Sequence, residues 1–424
     1  MKIAIACTAA LAAAFLAMTA PRTAQTTSAV PTFTKAVAPI LYKHCASCHR
    51  AGDIAPMSLL TYEETRPWAK SIREQVATGQ MPPWHADAAH GTFANDRRLS
   101  AQEKETLLLW IGGGTPKGDP KDLPPQPVFP AGWEIGTPDA VISMPKEYEV
   151  PASGTINYQY FEAPTNFTED KWVQAVEVRP GARSVVHHVL VFCREPGGQT
   201  RQPVFTQVVP DMRAPTRQQA QSNAPRRDQE RGLIATTAPG TNAMIFQPGT
   251  ALRIRAGSVL TLQIHYTANG EPTRDKSSVG LIFAKQPPQQ EIRTSAFVNP
   301  LFLIPPGANN YAVETAIQFN EDVHIYALFP HTHLRGKSWE YRLIYPDGRT
   351  EVVLSVPKYD FNWQTYYIFA KPLALPKGAR LEATAHYDNS PANPWNPDSK
   401  ASVRWGEQTW EEMQYSGLTY SVDK

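Results

Sequence analysis

Leu260-Thr261-Leu262-Gln263-Ile264-His265-Tyr266-Thr267 carries an apolar side chain at every second position and a polar one between. Successive side chains of an extended chain point to opposite faces, so this stretch reads as a strand with one face buried and one polar, His265 lying on the polar face. The same signature spreads outward. Val185-Val186 and Val189-Leu190-Val191-Phe192 enclose His187-His188 as a buried strand. Trp339 to Tyr345, then Pro346-Asp347-Gly348 and Val352-Val353-Leu354, read as a hairpin. Nothing helical of length follows residue 133. Two antiparallel β-sandwich domains, 133–290 and 291–424, accommodate this length better than one. Residues 196–245, rich in Gln, Arg, Pro and Ala, read as a long irregular insertion.

Ahead of Trp133 the pattern is helical, and residues 31–116 form a small all-α domain in this reading. Ser100-Ala101-Gln102-Glu103 is a capping box that opens a helix through Leu107, Leu108, Leu109 and Trp110, stopped by Gly112-Gly113-Gly114. An earlier helix runs from about Thr65 through Trp68, Ile72 and Val76 to Gly79. Residues 117–132 are a Pro-rich, stiff linker. The fold class expected is therefore multidomain: one small all-α domain followed by two all-β sandwiches.

Composition narrows the partners. The 424 residues hold Lys+Arg 41 against Asp+Glu 39 with no basic block, which argues against nucleic acid. Residues 1–24 read as a secretory signal peptide: Lys2, an Ala/Leu-rich run from Ile3, and small residues ending at Ala20 or Ala24. An uncleaved anchor is the alternative. No later segment is apolar enough to cross a bilayer as a helix, so the mature chain is expected to lack a transmembrane segment. Of the four cysteines Cys7 lies in the leader and Cys193 is left without a mate, so this exported chain is not a disulfide scaffold.

The remaining pair sits in Cys45-Ala46-Ser47-Cys48-His49, a covalent haem attachment motif. Its two thiols suit thioether bonds to the haem vinyls, and His49 becomes the proximal iron ligand. A zinc site would need two further ligands, and a thioredoxin-like pair would need a βαβ setting. For the sixth ligand Met81, in the Pro-braced Gly79-Gln80-Met81-Pro82-Pro83-Trp84, is preferred to Met57, because that ligand must approach from the opposite side of the ring. His44, His85 and His90 are read as packing or solvent-facing. Export together with a covalent haem fits a bacterial periplasm, with secretion or surface display as alternatives.

Three further histidine motifs follow: His187-His188, His265, and His331-Thr332-His333, with Met413 downstream. Side chains at i and i+2 of a strand share a face, so His331 and His333 can converge on one ion. Adjacent His187 and His188 can do so only across a bulge or a local twist. Imidazoles with one thioether are a copper set, since sulfur favours Cu(I) and imidazole suits both oxidation states. Each motif alone is matched by a plain alternative, a surface pair or a satisfied half-buried histidine.

Taken in order, Val186-His187-His188-Val189-Leu190-Val191-Phe192-Cys193, Leu262-Gln263-Ile264-His265-Tyr266, His331-Thr332-His333-Leu334-Arg335-Gly336-Lys337 and Glu411-Glu412-Met413 resemble the copper type II, ascorbate-dependent monooxygenases over residues 133–424. The resemblance implies two jelly-roll-like domains with a cleft holding two copper ions. His187, His188 and His265 would hold an electron-transfer copper; His331, His333 and Met413 would hold the oxygen-activating one and serve as the catalytic set. It further implies hydroxylation of an organic C–H bond with O2, with electrons drawn from an ascorbate-like reductant or a redox partner. The haem fused in front is read, apart from the resemblance, as delivering electrons to the first copper in place of, or beside, that reductant. The family's peptide-amidating member clamps its substrate carboxylate at positions that are Phe329 and Gly417 in this chain, so a C-terminal glycine peptide is not the expected substrate. His386 is read as structural, and Tyr359-Asp360-Phe361-Asn362-Trp363-Gln364 as a wall of the cleft or as packing. A non-catalytic electron-transfer protein with the same centres is the alternative function, and a binding module without metal the third.

Overall fold

The computed structural model describes residues 30–51, 55–130, 132–198, 204–209, 232–238 and 243–423. The expected leader and most of the 196–245 insertion lie outside the described residues.

Among the described residues four α-helices precede the first strand: α1 (Ala38–His44), α2 (Tyr62–Thr65), α3 (Ala69–Thr78) and α4 (Ala101–Gly112). The earlier helix read from sequence is divided, with a 3-10 turn Arg66–Trp68 between α2 and α3. Pro67 stands in that turn, where its missing N–H leaves no helical bond unmade. Helix α3 ends at Gly79, whose φ of 75° a side chain would disfavour. The capping box at α4 is formed in both directions: Ser100 Oγ accepts from the Glu103 amide at 3.1 Å, and the Glu103 carboxylate accepts from the Ser100 amide at 2.8 Å. Phe33, Leu41, Ile72, Val76, Leu107 and Trp110 form the apolar core of these helices.

The described residues from Ala140 onward are chiefly β-structure in two sandwiches. In the first, one sheet runs Gln159–Pro164, Val259–Tyr266, Val186–Arg194, Leu233–Thr237 in spatial order. The facing sheet runs Ala140–Ser143, Ser278–Phe283, Lys171–Arg179, Thr250–Ile254. A short parallel pairing of Gln290, Glu291 and Ile292 with Thr250, Ala251 and Leu252 carries that second sheet directly into the next sandwich. There it continues as Gln290–Val298, Tyr415–Val422, Val323–His331, Tyr367–Leu375. The last sheet is Thr350–Val356, Gly336–Ile344, Arg380–Tyr387, Tyr311–Phe319, Phe205–Val208. The expected hairpin is present, with Trp339 to Ile344 paired against Val356 to Thr350. Alternation explains the cores: Leu260, Leu262 and Ile264 are fully buried in one, and Leu381, Ala383 and Ala385 in the other.

Two connections differ from the sequence reading. The 196–245 region is not irregular throughout, because Phe205–Val208 adds a strand to the second sandwich and Phe205 enters its core. Residues 84–97, placed within the helical domain by the 31–116 boundary, dock instead on the second sandwich. Trp84 and Phe93 join its core, Trp84 lying 5.1 Å and Phe93 5.6 Å from the Tyr367 ring. Main-chain bonds Ala94 to Ile368 (2.7 Å), Ala370 to Thr92 (2.8 Å) and Asp87 to Ser355 (2.8 Å) fasten the segment. Burial of two aromatic rings outweighs the cost of ordering a loop with no periodic signal of its own.

Candidate metal centre

The strands Val186–Arg194 and Val259–Tyr266 pair antiparallel with His188 opposite His265. One step later Tyr266 faces Val186, so His187 is the extra residue of a β-bulge. The bulge rotates His187 onto the side of its neighbour, as joint ligation requires. The Nδ1 atoms of His187 and His188 stand 3.1 Å apart, and one ring nitrogen from each of His187, His188 and His265 lies within 4.8 Å of the others. Tyr158, which the sequence did not single out, lines this trio with its ring 5.0 Å from His265 and 5.5 Å from His188.

In the second sandwich the strand Val323–His331 ends at His331, and His333 follows in the turn that leads to Gly336. The two rings are 5.2 Å apart although only one belongs to the strand. Gly336 permits the turn: a Cβ there would meet Thr332 Oγ1 at 1.9 Å. The turn hangs on Glu412, a fully buried carboxylate that accepts main-chain N–H bonds from His333 (2.7 Å), Arg335 (2.6 Å) and Met413 (3.3 Å). Burial raises the Glu412 carboxyl to about 8, against those amide donors and the charge of Arg335. Arg335 is itself buried; its Nε donates to Asn389 Oδ1 at 2.8 Å and one terminal nitrogen to the Trp410 carbonyl at 2.8 Å. One carboxylate and one guanidinium therefore hold the His331-Thr332-His333 turn and the Met413 loop in register. Met413 is half-buried against the core of the second sandwich, and the Tyr387 hydroxyl donates to its carbonyl at 2.6 Å.

Electrostatics prepare these rings as ligands. Desolvation holds His331 at about 4, His333 at about 3 and His265 at about 4, and it lowers His187. His188, also desolvated and facing four other imidazoles, is held well below the ordinary histidine range. All five are neutral at neutral pH, the form that offers a lone pair to a metal. His333 Nδ1 is occupied by the Glu411 carbonyl at 3.2 Å, which leaves Nε2 buried without a partner. His331 is paired with Gln364, and its Nδ1 is likewise buried without a partner, as is Nδ1 of His265. An unpaired buried nitrogen costs roughly 1–3 kcal/mol, which a bound cation would recover.

The two histidine sets face one another across a single ring. Phe361 stacks on His187 at 5.6 Å and 21°, and lies 5.8 Å from His333 and 6.4 Å from His331. Of the Tyr359-to-Gln364 stretch, Phe361 and Gln364 thus touch the histidine rings, and the Tyr359 hydroxyl donates to the Thr332 carbonyl at 3.0 Å. Phe329 and Gly417 are register partners, and a Cβ on Gly417 would lie 2.9 Å from that of Phe329. His386 stands in the strand Arg380–Tyr387, paired with Ala312 and Ser338, away from these sets.

In the helical region Cys45 and Cys48 are free thiols flanking the end of α1, and His49 Nδ1 is buried without a partner. Cys45 and Met57 both pack against the helical core. Met81 is half-buried just past α3, its amide bonded to the Gln75 carbonyl at 3.2 Å. His44 is a packing residue, bonded to Glu103 at 3.0 Å. His85 is lowered by burial, with Asp360 acting in the opposite direction, which puts it beside the loop that carries Phe361.

Residues 292–418 match the family described as copper type II ascorbate-dependent monooxygenase, C-terminal domain. This chain is also 30% identical over 144 residues to DBH-like monooxygenase protein 2 of Mus musculus, a match covering 30% of this chain and 23% of that protein. The chain thus spans under a quarter of the length of that relative. Among solved structures it is similar to the major capsid protein P2 of bacteriophage PM2 (TM-score 0.31, 11% identity, 67% of this chain and 98% of that one). A second is an allantoicase (TM-score 0.16, 8% identity, 57% and 80%). Overlaps that loose carry no argument about this chain. The matched region holds His331, His333 and Met413; His187, His188 and His265 lie before it.

Proposed function

We propose that this chain is an exported copper-dependent monooxygenase that hydroxylates an organic C–H bond with O2, and that a covalent haem in its helical region supplies electrons to the copper sites. The observation that carries the reading is the convergence of five neutral, desolvated imidazoles on one junction, several with a ring nitrogen left unpaired. His187, His188 and His265 would hold one copper, and His331, His333 and Met413 the other. Copper bound there would supply one-electron chemistry and activation of O2. The protein's own part is to keep the ligands unprotonated by burial, to orient His333 through the Glu411 carbonyl, and to fix the Met413 loop through Glu412. Phe361 excludes water from the space between the sets. The family match over residues 292–418 supports the enzymatic reading over a non-catalytic relay.

Cys45, Cys48 and His49 fit a covalent haem: two free thiols, one buried imidazole nitrogen without a partner, and an apolar core alongside. Met81 remains the proposed sixth ligand, with Met57 the alternative on its packing. The docking of residues 84–97 on the second sandwich would bring this unit close to the copper sites, and the periplasm would suit both cofactors.

Elemental analysis of protein matured with haem and dialysed against copper tests the proposal. Two coppers and one iron per chain, with one copper lost in His331→Ala, are expected. One copper or none in the parent would sink the paired-site reading. Two coppers without O2 consumption on reduction would leave the relay.

A further inference from the structure

The strand Val323–His331 carries Ala327, Phe329 and His331 on one face, since alternate residues share a side. Following that face away from His331, the Phe329 ring stacks on His331 at 6.0 Å and on Tyr366 at 4.4 Å. Tyr366 and Ala327 then form the wall of a cavity of about 120 Å³ at the junction of the two sandwiches. Its lining is chiefly apolar: Met244, Phe246, Ile292, Tyr326 and Ile368. An apolar cavity of roughly 150 Å³ is known to take a benzene ring, so this volume suits one ring or a short aliphatic chain.

One charged group lines it among the described residues. Arg97 comes from the docked segment, is half-buried, and has no hydrogen-bond or ion-pair partner among the described residues. Its neighbour Arg98 differs, being neutralised by Asp96. Gln247 adds an amide at the same cavity. Asn95, also lining it, is committed to the Tyr366 carbonyl (2.7 Å) and the Ile368 amide (3.1 Å), which fixes the segment and hence Arg97 in place. An unpaired guanidinium at the wall of an apolar cavity selects a planar anion with an apolar body, because a carboxylate satisfies the fork while the body displaces water.

We propose that this cavity is a binding site for a small organic carboxylate with a single-ring or short aliphatic body, separate from the histidine centre and touching it through Tyr366 and Phe329. The site does not depend on metal. Titration calorimetry of the full chain with benzoate tests it, with benzyl alcohol as the neutral probe of similar size. Benzoate is expected to bind more tightly than benzyl alcohol, and Arg97→Gln to weaken benzoate at least about tenfold while leaving benzyl alcohol unchanged. Ala327→Leu, which fills the cavity, is expected to abolish binding of both, with thermal melts confirming that each variant is folded. Binding of benzoate is expected to persist in His331→Ala. Equal binding of benzoate to the parent and Arg97→Gln would overturn the proposal. So would loss of binding in His331→Ala, or no heat with the folded parent at millimolar benzoate.

Discussion

Glu412→Gln tests whether the second histidine set hangs on one buried carboxylate. The two oxygens of Glu412 accept from three main-chain amides, His333 and Met413 on Oε2 and Arg335 on Oε1. Glutamine keeps the volume but offers one acceptor oxygen and one amide nitrogen. In its better orientation the oxygen retains His333 and Met413, and the nitrogen faces the Arg335 N–H, donor against donor. One charge-assisted bond is lost, about 1.5–3 kcal/mol, and a buried N–H is left unpaired, about 1–3 kcal/mol. The Arg335 guanidinium, 1% exposed, also loses a buried counter-charge. Removing one partner of a buried pair costs about 3–5 kcal/mol, a figure that overlaps the first two. Relief of the desolvation that raises the carboxyl offsets part, so the expectation is about 3 kcal/mol, or a melt roughly 10 °C lower. Circular dichroism on metal-free protein at pH 9, above the raised Glu412 value of about 8 so that the carboxyl is ionised, measures it, and copper uptake by the same variant should weaken. Glu411→Gln is the control: its half-buried carboxylate accepts from the Gln408 amide at 3.0 Å, and the loss should stay within about 1 kcal/mol. If Glu412→Gln melts with the parent, the three amides are not held by an ionised carboxylate and the reasoning fails.

Phe361→Ala removes the ring stacked on His187 and is expected to raise the rate at which diethyl pyrocarbonate modifies His187 in metal-free protein; an unchanged rate would end its shielding role. Trp84→Ala should cost about 3 kcal/mol, the low end for a buried tryptophan because its Nε1 has no partner, and should make the chain between residues 79 and 97 a site of limited proteolysis. Burial pushes the Glu103 carboxyl up, but bonds from Ser100, His44 and Lys43 outweigh this and hold it at about 2. A depressed carboxyl stabilises the fold above the ordinary value of 4.5 and loses that contribution as pH falls toward 2. Melts of the helical region should therefore drop over that window, and Glu103→Gln should flatten the drop.

Strand periodicity made the sandwiches legible, because half-buried antiparallel strands write their geometry as alternation. The bulge at His187 was legible in part: for two adjacent side chains to share a side the sequence allows a bulge or a local twist, and the strand pairing takes the bulge. What stayed hidden was decided at long range. Glu411 and Glu412 are chemically alike in sequence, and only the path of the loop buries the second under three amides. Trp84 and Phe93 sit in a loop with no period, so nothing local says that they belong to a core almost three hundred residues away. The strand Phe205–Val208 is as short as a chance apolar run and acquires meaning only beside Tyr311–Phe319. In sequence Phe361 reads as a wall or as packing, and its contact with both histidine sets follows from the junction of the two sandwiches, which no local pattern encodes.

That junction bears on how the two histidine sets are held. A cleft between freely hinged domains would let them separate with little cost. Here the main chain ties the sandwiches in two places: the parallel pairing at Gln290 to Ile292 makes one sheet run through both, and Phe205–Val208, continuing from the first sandwich's side of the chain, is laced into the second. The ring of Phe361 is then held between His187 on one side and His331 and His333 on the other. To part the sets the protein would have to break main-chain hydrogen bonds and expose desolvated imidazoles to water. The separation of the two sets is thus a property of the folded sheet rather than of a linker. A change in the joint, such as a proline at Glu291, would therefore be felt at both sets together, whereas Glu412→Gln acts on the second alone.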